Sequence, residues 1–238
     1  MNQLFFSLIR DNKTKREIEL LTILSKNEVI TIQELAETIG VSSRSITNDL
    51  RFIEQELKDV LHIERFKRGG IKLIWDHSNS IEHTISILAM NTLSFRLIDG
   101  LFQGMEMSVE EWAEYLYASK ITMYRTIDHV SKIMETYHCS IEKGSIVKFG
   151  GEEINIRFFL YVFYSECNTL FNIKRRLEND RCLLLQAEHH LLLDYKSASE
   201  WCLIGKQRVK LGYHIQITSA LQQDIISKET YQEFKKNV

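Results

Sequence analysis

Proline is absent from all 238 residues, and glycine occurs only ten times. With so few helix breakers beside abundant Ile, Leu, Lys and Glu, the chain is expected to be mainly α-helical. A large excess of one charge is also lacking, because 30 Lys and Arg oppose 32 Asp and Glu for a net charge of −2. A chain that coats nucleic acid by overall positive charge is thereby excluded, and any such binding has to come from local patches. The four cysteines, Cys139, Cys167, Cys182 and Cys202, include no pair two residues apart, so neither a zinc knuckle nor a dithiol redox motif is spelled. They read as buried thiols in a reducing compartment. The apolar run 4–9 is too short for a signal-peptide core and meets Arg10 at once. No run approaches the length of a membrane span, so the expected location is the cytoplasm, with no membrane partner.

Catalytic signatures are missing as well. No Gly-rich phosphate loop, nucleophile elbow or His-Glu-x-x-His pattern occurs. The acid pairs Glu110/Glu111 and Glu152/Glu153 stand at expected helix starts, where the helix dipole accounts for them. No enzymatic activity, cofactor or metal is expected.

What is present is a repeat. Residues 36–53 (AETIGVSSRSITNDLRFI) and 113–130 (AEYLYASKITMYRTIDHV) align without a gap at an offset of 77 residues. Ala36 pairs with Ala113, Ser42 with Ser119, Ile46 with Met123, Leu50 with Ile127 and Ile53 with Val130. Each stretch has the pattern of a helix-turn-helix, and a tandem repeat is stronger than either copy alone.

In the first copy, residues 14–26 carry apolar residues at Ile18, Leu21 and Leu24, with Leu20 and Ile23 beside them, as in a helix with one buried face. Thr31 with Glu34 has the spacing of a capping box and starts a second helix, whose inner residues are Leu35, Ala36 and Ile39. Gly40 suits the left-handed turn between helices. Ser42 or Ser43 caps a third helix with the apolar stripe Ile46, Leu50, Ile53 and Leu57. Its outer side carries Arg44, Ser45, Thr47, Asn48 and Arg51, groups that suit base edges and phosphates in a major groove. A hairpin follows over residues 62–75, with its turn at 67–70, and reads as a wing. Arg65, Lys67, Arg68 and Lys72 make that wing basic, which suits a phosphate backbone.

The second copy is expected to open on one long helix over residues 80–102. Ser108 and Glu111 repeat the capping box, with Trp112, Ala113 and Leu116 inward. A third helix is predicted over residues 120–138, with Met123, Ile127, Val130, Ile133 and Met134 inward. Ser119, Lys120, Thr122, Tyr124, Arg125 and Lys132 are its candidate DNA contacts, and Lys143 and Lys148 those of a second wing over 139–150. This copy departs from the first: Tyr117 stands at the position of Gly40 and Asp128 at that of Arg51. Residues 151–171 place Ile156, Phe159, Leu160 and Phe163 at helical spacing, as in a buried connecting helix, and two or three further helices are expected beyond.

The expected architecture is two tandem winged helix-turn-helix domains, 1–76 and 77–151, with a short helical region over 152–238. Double-stranded DNA is the expected partner, bound as a homodimer because single short modules bind weakly. Two other readings stay open: a plasmid replication initiator with tandem winged helices, told apart by binding to origin repeats, and a protein-interaction module that binds no DNA.

The order of these motifs, with LYASKITMYR in the second copy and GGEEINIRFFLYVFYSE after its wing, resembles the Mga/AtxA family of virulence regulators from Gram-positive bacteria. The resemblance covers residues 10–170, and RVKLGYHI (208–215) is similar to the end of a first phosphotransferase-regulation domain. It implies tandem helix-turn-helix units that bind promoter DNA, followed by regulatory domains phosphorylated on histidine by the sugar phosphotransferase system. The chain ends inside the first such region, as a shortened member or an N-terminal piece would. His189, His190 and His214 are the histidines that the resemblance makes candidates for phosphorylation.

Overall fold

The computed structural model of the chain describes residues 3–67, 69–75, 80–166 and 195–216. The first module is built from α2 (Asn12–Lys26), β1 (Ile30–Thr31), α3 (Ile32–Ile39), α4 (Ser43–Glu56), β2 (Leu61–Arg65) and β3 (Gly70–Trp75). Each helix start is fixed by a side chain. Asp11 accepts from the Thr14 amide at 2.7 Å, and the Thr31–Glu34 capping box is closed in both directions. Gly40 has φ 78°, and its N–H and that of Val41 both donate to the Ala36 carbonyl. Ile46, Leu50, Ile53 and Leu57 are buried as their spacing requires. The wing is antiparallel, with Ile63 opposite Leu73, and β1 adds a third strand by pairing Ile30 with Ile71. A two-residue strand leaves no alternation to detect, so its sequence gives no sign of it.

The second module repeats this plan with α6 (Leu93–Phe102), α7 (Val109–Tyr115), α8 (Lys120–Met134), β4 (Cys139–Lys143) and β5 (Val147–Gly151). The offset of 77 extends to the first helix of each unit, where Ile18, Leu20, Leu21 and Leu24 answer to Phe95, Leu97, Ile98 and Leu101, all buried.

Two expected helix boundaries need correction. Residues 80–102 are not one helix: α5 (Ile81–Met90) and α6 meet at an 83° corner. Asn91 and Thr92 turn back their N–H groups on Leu88 and Ala89, and the Thr92 hydroxyl also donates to Ala89 O. The bend lets α5 pack on α2 while α6 packs on α8, so one apolar segment serves two different neighbours. α8 ends at Met134, short of His138; a 3-10 turn follows, and His138 adopts φ 56° before β4 begins. Among the described residues no single helix is long and apolar enough to cross a membrane.

The N-terminal helix α1 (Gln3–Leu8) leaves the first module and packs on α8 and on α9 (Glu153–Glu166). Phe5, Phe95 and Phe163 form a chain of rings 5.5 and 5.2 Å apart that joins α1, α6 and α9. Ile156, Phe159, Leu160 and Phe163 are buried on α9, as predicted. α10 (Tyr195–Lys210) closes over α9, with Trp201 stacked 4.9 Å from Tyr161. The helix dipole does not account for Glu153. It accepts hydrogen bonds from Arg157 at 2.9 Å and from Arg208 at 3.0 and 2.7 Å. Burial pushes its carboxyl up, but the two guanidiniums outweigh that and hold it below the usual range. Cys139 is buried, whereas Cys202 is exposed, contrary to the expectation of buried thiols. Cys167, Cys182, His189 and His190 lie outside the described residues.

Candidate nucleic-acid interface

Ser42 is the cap of α4: its hydroxyl accepts from the Ser45 amide, and Ser43 is the first helical residue. The Thr47 hydroxyl donates to Ser43 O at 2.8 Å. Arg44, Asn48 and Arg51 are exposed on one face, spaced by three and four residues. Neither arginine has a carboxylate partner among the described residues, so both guanidiniums remain available to a nucleic acid.

The helix that presents them is held from beneath. Asp49 is 2 % exposed and receives two hydrogen bonds from Arg16 on α2, at 2.5 and 3.0 Å. Sequence reasoning missed this pair, although Asp49 falls on the inner side between Ile46 and Ile53. An acid at a stripe position signals a buried cation partner, because an unpaired buried carboxylate is too costly.

The wing is less free than its composition suggests. Arg65 is committed to Glu54 through two 2.6 Å hydrogen bonds, and this pairing holds the hairpin against α4. Those bonds raise the guanidinium's proton affinity still further. Lys67 is exposed at the turn and Lys72 half-buried on β3 opposite Glu64; neither has an ion-pair partner among the described residues. Arg68 lies outside the described residues.

In the second module Ser119 caps α8, accepting from the Thr122 amide at 3.1 Å. Its cations are mostly paired within the fold: Lys120 with Glu110, Lys143 with Asp128, and Lys148 with Glu142. Arg125 and Lys132 are exposed without such partners among the described residues, but Thr122 and Arg125 line a cleft facing the first module. The tip of this module is apolar instead, with Tyr117 94 % and Ile121 66 % exposed, and Tyr124 exposed beside Lys143. The side of α8 carrying His129 is covered by α1, whose Ser7 carbonyl lies 2.8 Å from the imidazole.

Two consecutive winged helix-turn-helix units define the class of the molecule. Residues 16–68 match a helix-turn-helix domain family, and residues 77–164 match the Mga helix-turn-helix domain. Over these residues the chain is similar to regulators of the Mga/AtxA type. It is similar to the capsule synthesis positive regulator AcpA of Bacillus anthracis, 30% identical over 142 residues, which cover 59% of this chain and 29% of that protein. The capsule synthesis positive regulator AcpB of Bacillus anthracis is 22% identical over 63% of this chain and 31% of its own length. The anthrax toxin expression trans-acting positive regulator of the same organism is 23% identical over 65% of this chain and 32% of its own length. The chain thus spans about a third of the length of the curated relatives it matches.

Proposed function

We propose that the chain is a DNA-binding transcriptional regulator that acts on promoters of virulence or surface-protein genes in the cytoplasm of a Gram-positive bacterium. The face made by Ser42, Ser43, Arg44, Ser45, Thr47, Asn48 and Arg51 enters a major groove, and the wing with Arg65, Lys67, Arg68 and Lys72 lies along phosphates. The second module contacts an adjacent stretch through Ser119, Lys120, Thr122, Tyr124, Arg125 and Lys132, with Lys143 and Lys148 beside the backbone. The observation that carries this reading is the unpaired Arg44–Asn48–Arg51 face on a helix anchored by the buried Arg16–Asp49 pair. A fixed helix with free guanidiniums suits base-edge recognition. The relatives' names, which describe positive regulators of capsule and toxin, support the same reading.

Fluorescence anisotropy on promoter-length duplexes across salt tests it. Binding should fall steeply with salt and be lost in the Arg44→Ala/Arg68→Ala double variant, while Lys67→Ala alone should lower the salt slope by roughly one. Equal affinity of wild type and double variant would sink the proposal. The second module has a second reading, as a packing and interaction unit, favoured by its internally paired cations and by exposed Tyr117 and Ile121. Dimerisation, argued from the weak binding of single short modules, belongs to the same proposal, as does control by phosphotransferase-system proteins through His189, His190 or His214, which rests on the family resemblance. Of these histidines His214 is described, exposed just after α10.

A further inference from the structure

Between the two modules lies a cleft of about 520 Å³; the DNA reading uses Thr122 and Arg125 on its rim and leaves Glu17 and the start of α6 unexplained. One wall comes from α2 and α4, the other from the α5–α6 corner and α8. Glu17 lines it. This side chain is 2 % exposed, and its Oε1 accepts no hydrogen bond among the described residues. The Lys13 ammonium makes an ion pair with this same oxygen at 3.4 Å and is itself drawn over the Phe52 ring, 3.6 Å from the centroid. A buried carboxylate oxygen held by one long ion pair and no well-formed hydrogen bond is incompletely satisfied, and a bound group that donates to it lowers the cost.

The opposite character is present in the same cleft. α6 begins there, and Thr92 turns its hydroxyl back to Ala89 O, giving no side-chain cap to the first-turn amides. Free amides at a helix start favour an anion. Arg10 and Arg125, exposed and without ion-pair partners among the described residues, line the cleft as well. Phe52 and Leu88 supply an apolar surface. An anion alone leaves Glu17 unsatisfied, and a cation alone leaves the helix start and both arginines unused.

We propose that the cleft binds a small zwitterion with an apolar side chain, of the α-amino-acid class. The carboxylate meets the α6 N-terminus and the two guanidiniums, the ammonium donates to Glu17, and the side chain lies against Phe52 and Leu88. Such a ligand touches both modules and so sets the spacing of the two recognition helices. That last consequence rests on the DNA reading above; the binding site does not.

Isothermal titration calorimetry of the full chain, without DNA, tests the site. The probes are L-leucine and L-phenylalanine, with isocaproate and isoamylamine as leucine skeletons that each lack one charge. At least one amino acid should bind saturably, and the single-charge analogues at least about tenfold more weakly. Glu17→Gln keeps the size and removes the charge, and Arg125→Gln changes a surface residue; each should weaken the amino acid by about tenfold or more. Thermal melts establish that the variants are folded, and if Glu17→Gln is not, Arg125→Gln decides. The proposal is overturned if neither amino acid binds the wild type, if isocaproate binds as well as leucine, or if the folded variants keep full affinity. A failed titration here leaves the DNA reading intact, and a failed duplex titration leaves this site intact.

Discussion

At the offset of 77 residues the two modules share their cores and differ in their charges. Leu35, Ala36, Leu50 and Ile53 become Trp112, Ala113, Ile127 and Val130, every one buried. Over the same offset Glu17 and Asp49 become Ser94 and Thr126, while Arg44 and Arg51 become Ile121 and Asp128. The apolar repeat therefore specifies the fold twice, and the polar substitutions separate the roles. In the first module a buried ion pair fastens α2 to α4. In the second, Leu93 stands at the counterpart of Arg16, and Thr126 donates only to the Thr122 carbonyl of its own helix. The module that keeps Arg44 and Arg51 free outside also carries acids inside.

The largest expected effect follows from that asymmetry. Asp49→Ala leaves Arg16 without its partner and should cost about 3 kcal/mol, the low end for a broken buried pair because Arg16 is partly exposed. Thr126→Val at the equivalent site removes one hydrogen bond to its own helix and should cost about 1 kcal/mol or less. Urea denaturation of the two variants compares them directly. Equal losses would mean that the buried pair gives the first module no special anchorage.

The second effect concerns pH. Burial, the largest cause, pushes the Glu17 carboxyl up to about 7 from an ordinary value of 4.5, with Lys13 opposing. Between these two values the folded chain holds a proton that the unfolded chain has released. Stability should therefore fall as pH rises from about 4.5 to about 7, by an amount on the order of 2 kcal/mol, and level off beyond. Glu17→Gln should remove this slope and raise stability above neutral pH. Ser94, its counterpart, does not titrate, so Ser94→Ala should leave the pH profile unchanged. A variant profile parallel to that of wild type would show that Glu17 is not the group responsible.

Local signals carried most of the fold. Both capping boxes, the Gly40 turn, the capping serines and the apolar stripes lie within a few residues of one another, and each was legible in the sequence. The α5–α6 corner was not. It contains neither proline nor glycine, and two hydroxyl- or amide-bearing residues inside an apolar run do not by themselves require a bend. The placement of α1 was also hidden, because its short apolar run fits either core equally well by composition. For the candidate interface, the residue types were legible and their availability was not. Arg65 and Glu54 are 11 residues apart, and Lys143 and Asp128 are 15 apart, joined only once a hairpin folds back on a helix. Charge counted along the chain therefore overstated how many cations the wings leave free.

The recognition faces sharpen the comparison further. Arg44→Ala should weaken specific duplex binding by about 1–2 kcal/mol, since an exposed, unpaired guanidinium on a fixed helix is the group suited to a base edge. Ile121→Ala at the equivalent position removes an apolar contact at most and should change affinity by no more than about 0.5 kcal/mol. Anisotropy titrations at one salt concentration measure both. A larger loss for Ile121→Ala would reverse the assignment and make the second module the principal reader.

The smallest expected effect lies in the turns. Gly40 and Tyr117 occupy the same place in the two motifs and adopt similar left-handed geometry, φ 78° and 54°. Each turn closes alike, with Val41 donating to Ala36 O and Ala118 to Ala113 O. A Cβ added at Gly40 would meet nothing within 4 Å, so Gly40→Ala isolates the backbone cost of the left-handed region, about 1 kcal/mol. Tyr117 already bears that cost, and its ring is 94 % exposed, so little packing offsets it. Tyr117→Gly should therefore stabilise the chain by up to about 1 kcal/mol, less the greater freedom that glycine has in the unfolded state. Thermal denaturation of both variants decides the matter. If Tyr117→Gly also weakens duplex binding while stabilising the fold, the strained tyrosine is retained for what it touches, and the second module belongs to the DNA interface. If it stabilises the fold and leaves affinity unchanged, the second turn takes no part in DNA contact, and the division of roles between the modules holds.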